Sequence, residues 1–79
     1  MNTTANPTKA EMSQRRQIYQ AFFMLKEPVD AEAFWLQLKE KGMNVSLGLV
    51  HNTLILLTDY GFAERSRDEH TRISYFRAL

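Results

Sequence analysis

The sequence predicts an α+β domain, a winged helix-turn-helix of three helices and a small antiparallel C-terminal hairpin, the wing. Three observations carry this reading. Two apolar stripes at helical spacing, one around Phe34 and one around Val50, are separated only by a short stretch containing Gly42. An earlier stripe, Ile18, Phe22 and Leu25, follows i, i+4 and i+7. After Gly61 the pattern changes to alternation, interrupted by the polar run Asp68-Glu69-His70, as a hairpin requires.

Each element has its own justification. Residues 1–8 have no apolar period and contain Asn6-Pro7, so they are expected to form a flexible arm ahead of one domain over 9–79. Helix is expected from about Lys9 to Leu25. Pro28 stops it, because proline disfavours the helical backbone at the residue before it. The second helix starts after Asp30, whose carboxylate can accept from the free N–H groups of the first turn. Val29 just outside can staple to Phe34. Phe34 and Leu38 are expected to point inward, with Ala31 and Trp35 flanking them, and Gly42 to end the helix. Met43-Asn44-Val45 is expected as a short extended strand. Ser46 then caps a third helix, Ser46 to Tyr60, with Leu47, Val50, Leu54 and Leu57 as its inward seam. In the hairpin, Phe62 and Glu64 alternate, Arg65-Ser66-Arg67 lead into the turn, and Ile73 and Tyr75 alternate with Arg72 and Ser74.

Composition removes several function classes. The chain of 79 residues is 44% hydrophobic and 11% aromatic, too apolar for a disordered segment. Cysteine is absent, so there is neither a disulfide nor a thiolate metal site, which fits a reducing compartment; a cytoplasmic location is expected. The longest apolar run, Leu54 to Leu57, falls far short of the ~18 residues of a membrane span. No enzyme is expected. There is no cysteine nucleophile, and three glycines, at 42, 48 and 61, make no phosphate loop. Glu32, Glu40 and Asp59 are single carboxylates. His51 and His70 stand alone, so no metal and no cofactor are expected. Ten Lys and Arg against nine Asp and Glu give a net charge of +1. A case for nucleic-acid binding therefore rests on where the charges sit.

Ser46-Leu47-Gly48-Leu49-Val50-His51-Asn52-Thr53-Leu54, followed by Asp59-Tyr60-Gly61-Phe62-Ala63, resembles the third helix and strand entry of the ferric uptake regulator family. Ser13-Gln14-Arg15-Arg16 is similar to that family's first helix, and Val29-Asp30-Ala31-Glu32 to the entry of its second. The resemblance runs from about Thr8 to Phe76 and concerns only the family's N-terminal winged helix. It implies a DNA-binding transcription regulator whose third helix enters the major groove. The family's DNA-facing Thr, Tyr and Arg correspond here to Leu49, His51 and Asn52. The family's dimerisation domain with its His, Asp, Glu and Cys ligands lies beyond the matched region, so metal sensing is not carried over.

The expected DNA contacts are Arg15, Arg16, Ser46, Leu49, His51, Asn52, Arg65 and Arg67, with Arg72 as a further wing cation. Asn52 has the groups to read adenine bidentately, His51 to donate to a phosphate or base, and Leu49 to pack on a thymine methyl. Ser46 brings the helix N-terminus near phosphate. The plainer reading makes the arginines and His51 solvated surface. The expected partner is double-stranded DNA, with a homodimer or a full-length related regulator beside it. An alternative is a winged helix used for protein interaction or self-association, through Leu49, Ile55 and Leu56. These three apolar residues lie off the inward seam, unless the first two helices cover them.

Overall fold

The computed structural model describes residues 9–79; the arm expected over 1–8 lies outside them. The element order is α1 (Lys9–Phe23), β1 (Val29–Asp30), α2 (Ala31–Glu40), α3 (Leu47–Asp59), β2 (Ala63–Arg67) and β3 (Ser74–Ala78). Three helices and a three-stranded antiparallel sheet of order β1-β3-β2 make a winged helix.

The start and stop signals act as their chemistry dictates. The Asp30 carboxylate accepts from the Ala33 N–H at 3.4 Å, and Ser46 Oγ accepts from the Leu49 N–H at 3.1 Å. Both caps have extended backbone, which turns the side-chain oxygen toward the free N–H groups of the first turn. Gly42 at φ 88° and Gly61 at φ 84° sit just past the ends of α2 and α3, in the left-handed region that costs glycine nothing. Their N–H groups return to Lys39 O and Thr58 O. At the end of α1, the Met24 and Leu25 N–H groups bond the carbonyls of Ala21 and Phe22, so the last turn tightens before Pro28.

The core is shared by all layers. Ile18 and Phe22 of α1, Phe34 and Leu38 of α2, Val50 and Leu54 of α3 and Phe76 of β3 are each at most 1% exposed. The rings of Phe22 and Phe34 meet at 5.9 Å in a tilted arrangement. Trp35 and Tyr19 pack partly against this core. The Trp35 indole N–H donates to Val45 O at 2.8 Å, tying α2 to the turn before α3.

Two expectations are corrected. No strand forms at Met43–Val45. The first strand is Val29–Asp30, paired with Phe76 and Tyr75 of β3. Val45 is instead buried, with its carbonyl taken by Trp35. Leu47 is not part of the inward seam but 37% exposed, whereas Thr53, outside the expected seam, is wholly buried. Burial of that hydroxyl is tolerated because it donates to Leu49 O at 2.7 Å. In β3 the inward residue is Phe76, which lies opposite Val29 and Arg65. With a period of two, Ile73 and Tyr75 then take the other phase, and Ile73 is left 40% exposed.

Candidate nucleic-acid interface

Helix α2 packs on α3 across the short turn 41–46, which is the helix-turn-helix arrangement. Turning by about 100° per residue, α3 buries Val50, Thr53, Leu54 and Leu57 on one side and exposes Gly48, His51 and Asn52 on the other. This exposed strip occupies the N-terminal half of the helix, beside the Ser46 cap. Gly48 has open space where a Cβ would stand, so nothing from the domain itself crowds the strip there.

The first helix approaches the same end. Gln14 Nε2 donates to Asn44 O at 3.2 Å, joining that turn of α1 to the chain just before Ser46. Arg16, two residues on and therefore on another side of α1, is exposed. Arg15 is half-buried, and among the described residues its Nε is enclosed without a hydrogen-bond partner.

The wing carries the other cations. On the sheet face shared with Phe76, β2 presents Ala63, Arg65 and Arg67 in register with Ala78, Phe76 and Ser74. Arg65 lies over the Phe76 ring at 5.7 Å, and its NH2 donates to Ser74 Oγ at 3.1 Å. It is thus held in place by an uncharged partner and a ring, outside any ion pair. Arg67 is exposed and closer to the tip. On the opposite face, Arg77 bonds Glu64 at 2.7 Å across the strands, the one ion pair among the described residues. That pairing neutralises Arg77 and Glu64 together, while Arg65 and Arg67 make no ion pair, although Asp68 and Glu69 follow Arg67 at the tip.

The tip is ordered by its own backbone. The Asp68 carboxylate accepts from the His70 N–H at 2.8 Å and the Thr71 N–H at 3.1 Å. The Thr71 and His70 amides, in that order, hold the Asp68 carboxyl below its ordinary value, because they bond the ionised form. Arg72 closes the turn at φ 64°, where its N–H bonds Asp68 O at 2.8 Å. His70 is exposed there and far in sequence from His51. Among the described residues no group of three or more His, Asp or Glu could hold a metal, and no helix is long and apolar enough to cross a membrane.

The three apolar residues expected as an interface are each half-buried. Leu49 and Ile55 are half-buried and pack partly against the core. Leu56 turns elsewhere, into a groove of about 220 Å³ lined by Tyr19, Phe23, Leu56, Leu57, Tyr60 and Phe62. Sequence reasoning missed this groove. Its signals were Phe23, which lies off the α1 stripe, and Phe62, which was placed in an alternating strand but precedes it.

A winged helix with a capped, polar-faced third helix and an arginine-bearing wing belongs to a fold class widely used to approach duplex DNA. Among solved structures, this fold is shared with a zinc uptake regulator and with PerR. FurB from M. tuberculosis, a zinc uptake regulator, matches at TM-score 0.84 and 23% identity, over 89% of this chain and 54% of its own. GAS PerR-Zn-Zn matches at TM-score 0.74 and 23% identity, over 94% of this chain and 45% of its own. PerR from Streptococcus pyogenes, a structure concerned with peroxide sensing and gene regulation, matches at TM-score 0.73 and 23% identity, over 94% and 48%. The chain thus spans about half the length of the solved structures it matches. The fold expected from the resemblance to ferric uptake regulators is the fold observed. No protein-family model matches the sequence, and no curated protein matches it.

Proposed function

We propose that this chain is a DNA-binding transcription regulator that inserts α3 into the major groove and clamps the backbone with α1 and the wing. The observation that carries the reading is the strip Gly48, His51 and Asn52, which is the solvent face of α3 in a fold shared with FurB and PerR. Asn52 reads a base edge and His51 a base or phosphate. Ser46 brings the α3 N-terminus to a phosphate, while Arg15, Arg16, Arg65 and Arg67 hold the strands. Leu49 offers only its uncovered edge to a thymine methyl, since the core takes the rest. No catalytic or metal chemistry enters this role.

Fluorescence anisotropy on random duplex DNA across a salt series tests it. With about four of Arg15, Arg16, Arg65, Arg67 and Arg72 neutralising phosphates, log K falls with log salt at a slope of about −3.5. Undetectable binding at about 50 mM salt overturns the reading. Once a preferred site has been selected from a random pool, Asn52→Ala is expected to lose about 1–3 kcal/mol of discrimination at one base step. Equal discrimination by parent and variant removes Asn52 from the reading set. The protein-interaction alternative draws on a different observation, the apolar groove at the other end of α3.

A further inference from the structure

We propose that Gly48, with Leu47 beside it, is the point of closest approach between α3 and DNA, a notch that takes the methyl group of a thymine. This deepens the DNA-binding reading and rests on it.

The starting observation is a glycine that the domain itself does not need. Gly42 and Gly61 lie at φ 88° and 84°, in the left-handed region that favours glycine. Gly48 is different. It is the second residue of α3, its φ is not positive, and a Cβ placed on it would meet nothing within 4 Å. Neither the backbone conformation nor packing inside the domain calls for glycine there. Alanine at a helical position favours the folded state by about two- to fivefold over glycine. A glycine that weakens its own helix and relieves no internal crowding fits a surface that another molecule must approach closely.

The neighbours define what approaches. Gly48 lies three residues before His51 and four before Asn52, and Leu47 lies four before His51, so the four share one face of α3. All four are exposed. Leu49, next in the chain, packs partly against the core, which leaves Leu47 as the more exposed leucine. Helix α3 carries no Lys, Arg or Glu, and its single acid, Asp59, ends the helix. A contact at Gly48 is therefore made by shape and apolar surface rather than by charge. Its floor is the bare Cα, and one wall is the Leu47 side chain. On the major-groove edge of a base pair, the apolar group is the thymine methyl. A Cβ at position 48 would stand in the space that this methyl fills.

The first test variant is Gly48→Ala. On a duplex selected from a random pool it is expected to bind about tenfold more weakly than the parent, or worse, while its urea midpoint rises. On random duplex, where the arginines meet phosphates, its affinity and salt slope are expected to match those of the parent. Deoxyuridine, which lacks only the methyl, is then placed at each thymine of the selected duplex in turn. At one position the parent is expected to lose about fourfold in affinity, the effect of one buried methyl-sized group. Leu47→Ala is expected to lose much less from the same replacement. A Gly48→Ala variant that binds the selected duplex like the parent, unfolds more easily, or weakens equally on random duplex overturns the proposal. So does a parent indifferent to every deoxyuridine, or a Leu47→Ala variant that responds to it as the parent does. A parent that binds no DNA at about 50 mM salt ends the DNA-binding reading and the notch with it. A parent that binds with the expected salt slope, while these substitutions stay silent, keeps that reading and loses the notch alone.

Discussion

Around Phe34, every helix contributes side chains that are at most 1% exposed, whereas in β2 and β3 only Ala63 and Phe76 are buried. The rest of the wing is held by local polar contacts. These are the Glu64–Arg77 pair, the Arg65 bond to Ser74, and the Asp68 bonds to the His70 and Thr71 amides. The two regions therefore draw on different forces. Burial of a large side chain is worth about 1.5–3 kcal/mol, while an exposed ion pair is worth about 0–1 kcal/mol. The difference teaches where this domain can move. Its helices are fixed by packing, so the strip on α3 is presented in one orientation. Its wing buries only Ala63 and Phe76 and otherwise relies on strand pairing and exposed polar contacts, so it has less packing to hold it than the helices.

The largest test of this contrast is in the core. Phe34→Ala is expected to cost about 3–5 kcal/mol, a large share of a small domain's stability, and to shift or abolish the urea transition. A midpoint that barely moves would mean that the helices are not held by this cluster. An intermediate effect is expected at the entry to α3. Ser46→Ala removes the bond to the Leu49 N–H and is expected to cost about 1 kcal/mol in urea unfolding. Its amide-exchange signature sharpens the comparison, since protection should fall first at Gly48 and Leu49 and stay unchanged in the wing. The smallest effect is at the tip. Asp68→Asn is expected to leave the urea midpoint unchanged while amide exchange in 68–73 speeds up. A global loss of stability would make the wing part of the cooperative core.

The acid behaviour of the tip follows from the same bonds. The Asp68 carboxyl is held below its ordinary value in the folded chain, so its contribution is complete at neutral pH. It fades only as the pH drops below the ordinary aspartate value of about 3.9 and through the lower folded one. The amide protection factor of Thr71, followed from neutral pH to about pH 2, should fall only at that acid end. A change centred near neutrality would assign the turn's order to another group.

Much of this was legible in the chain because it is local. The Asp30 and Ser46 caps, the glycine stops at 42 and 61, and the change of period after Gly61 each depend on a few neighbouring residues, and all stand as their chemistry requires. The polar strip on α3 was legible for the same reason, since helical spacing alone separates Asn52 from Val50 and Leu54. What failed was pairing at a distance. Nothing near Val29 says that its partner is Phe76, so the first strand was expected at Met43–Val45 instead. Nothing near Leu47 says that it is exposed, nor near Thr53 that it is buried. Leu49, Ile55 and Leu56 look alike in sequence. Only the way α1 and the Gly61 turn close around α3 sends the first two toward the core and Leu56 into a groove with Tyr19, Phe23, Tyr60 and Phe62. The sequence by itself determined which segments are helix, where the helices are capped and stopped, and which charges the wing carries, because these are set by backbone and side-chain chemistry within a turn or two. Tertiary structure alone decided strand partners, the phase of β3 and the existence of the groove, because burial depends on surfaces that meet only after the chain has folded.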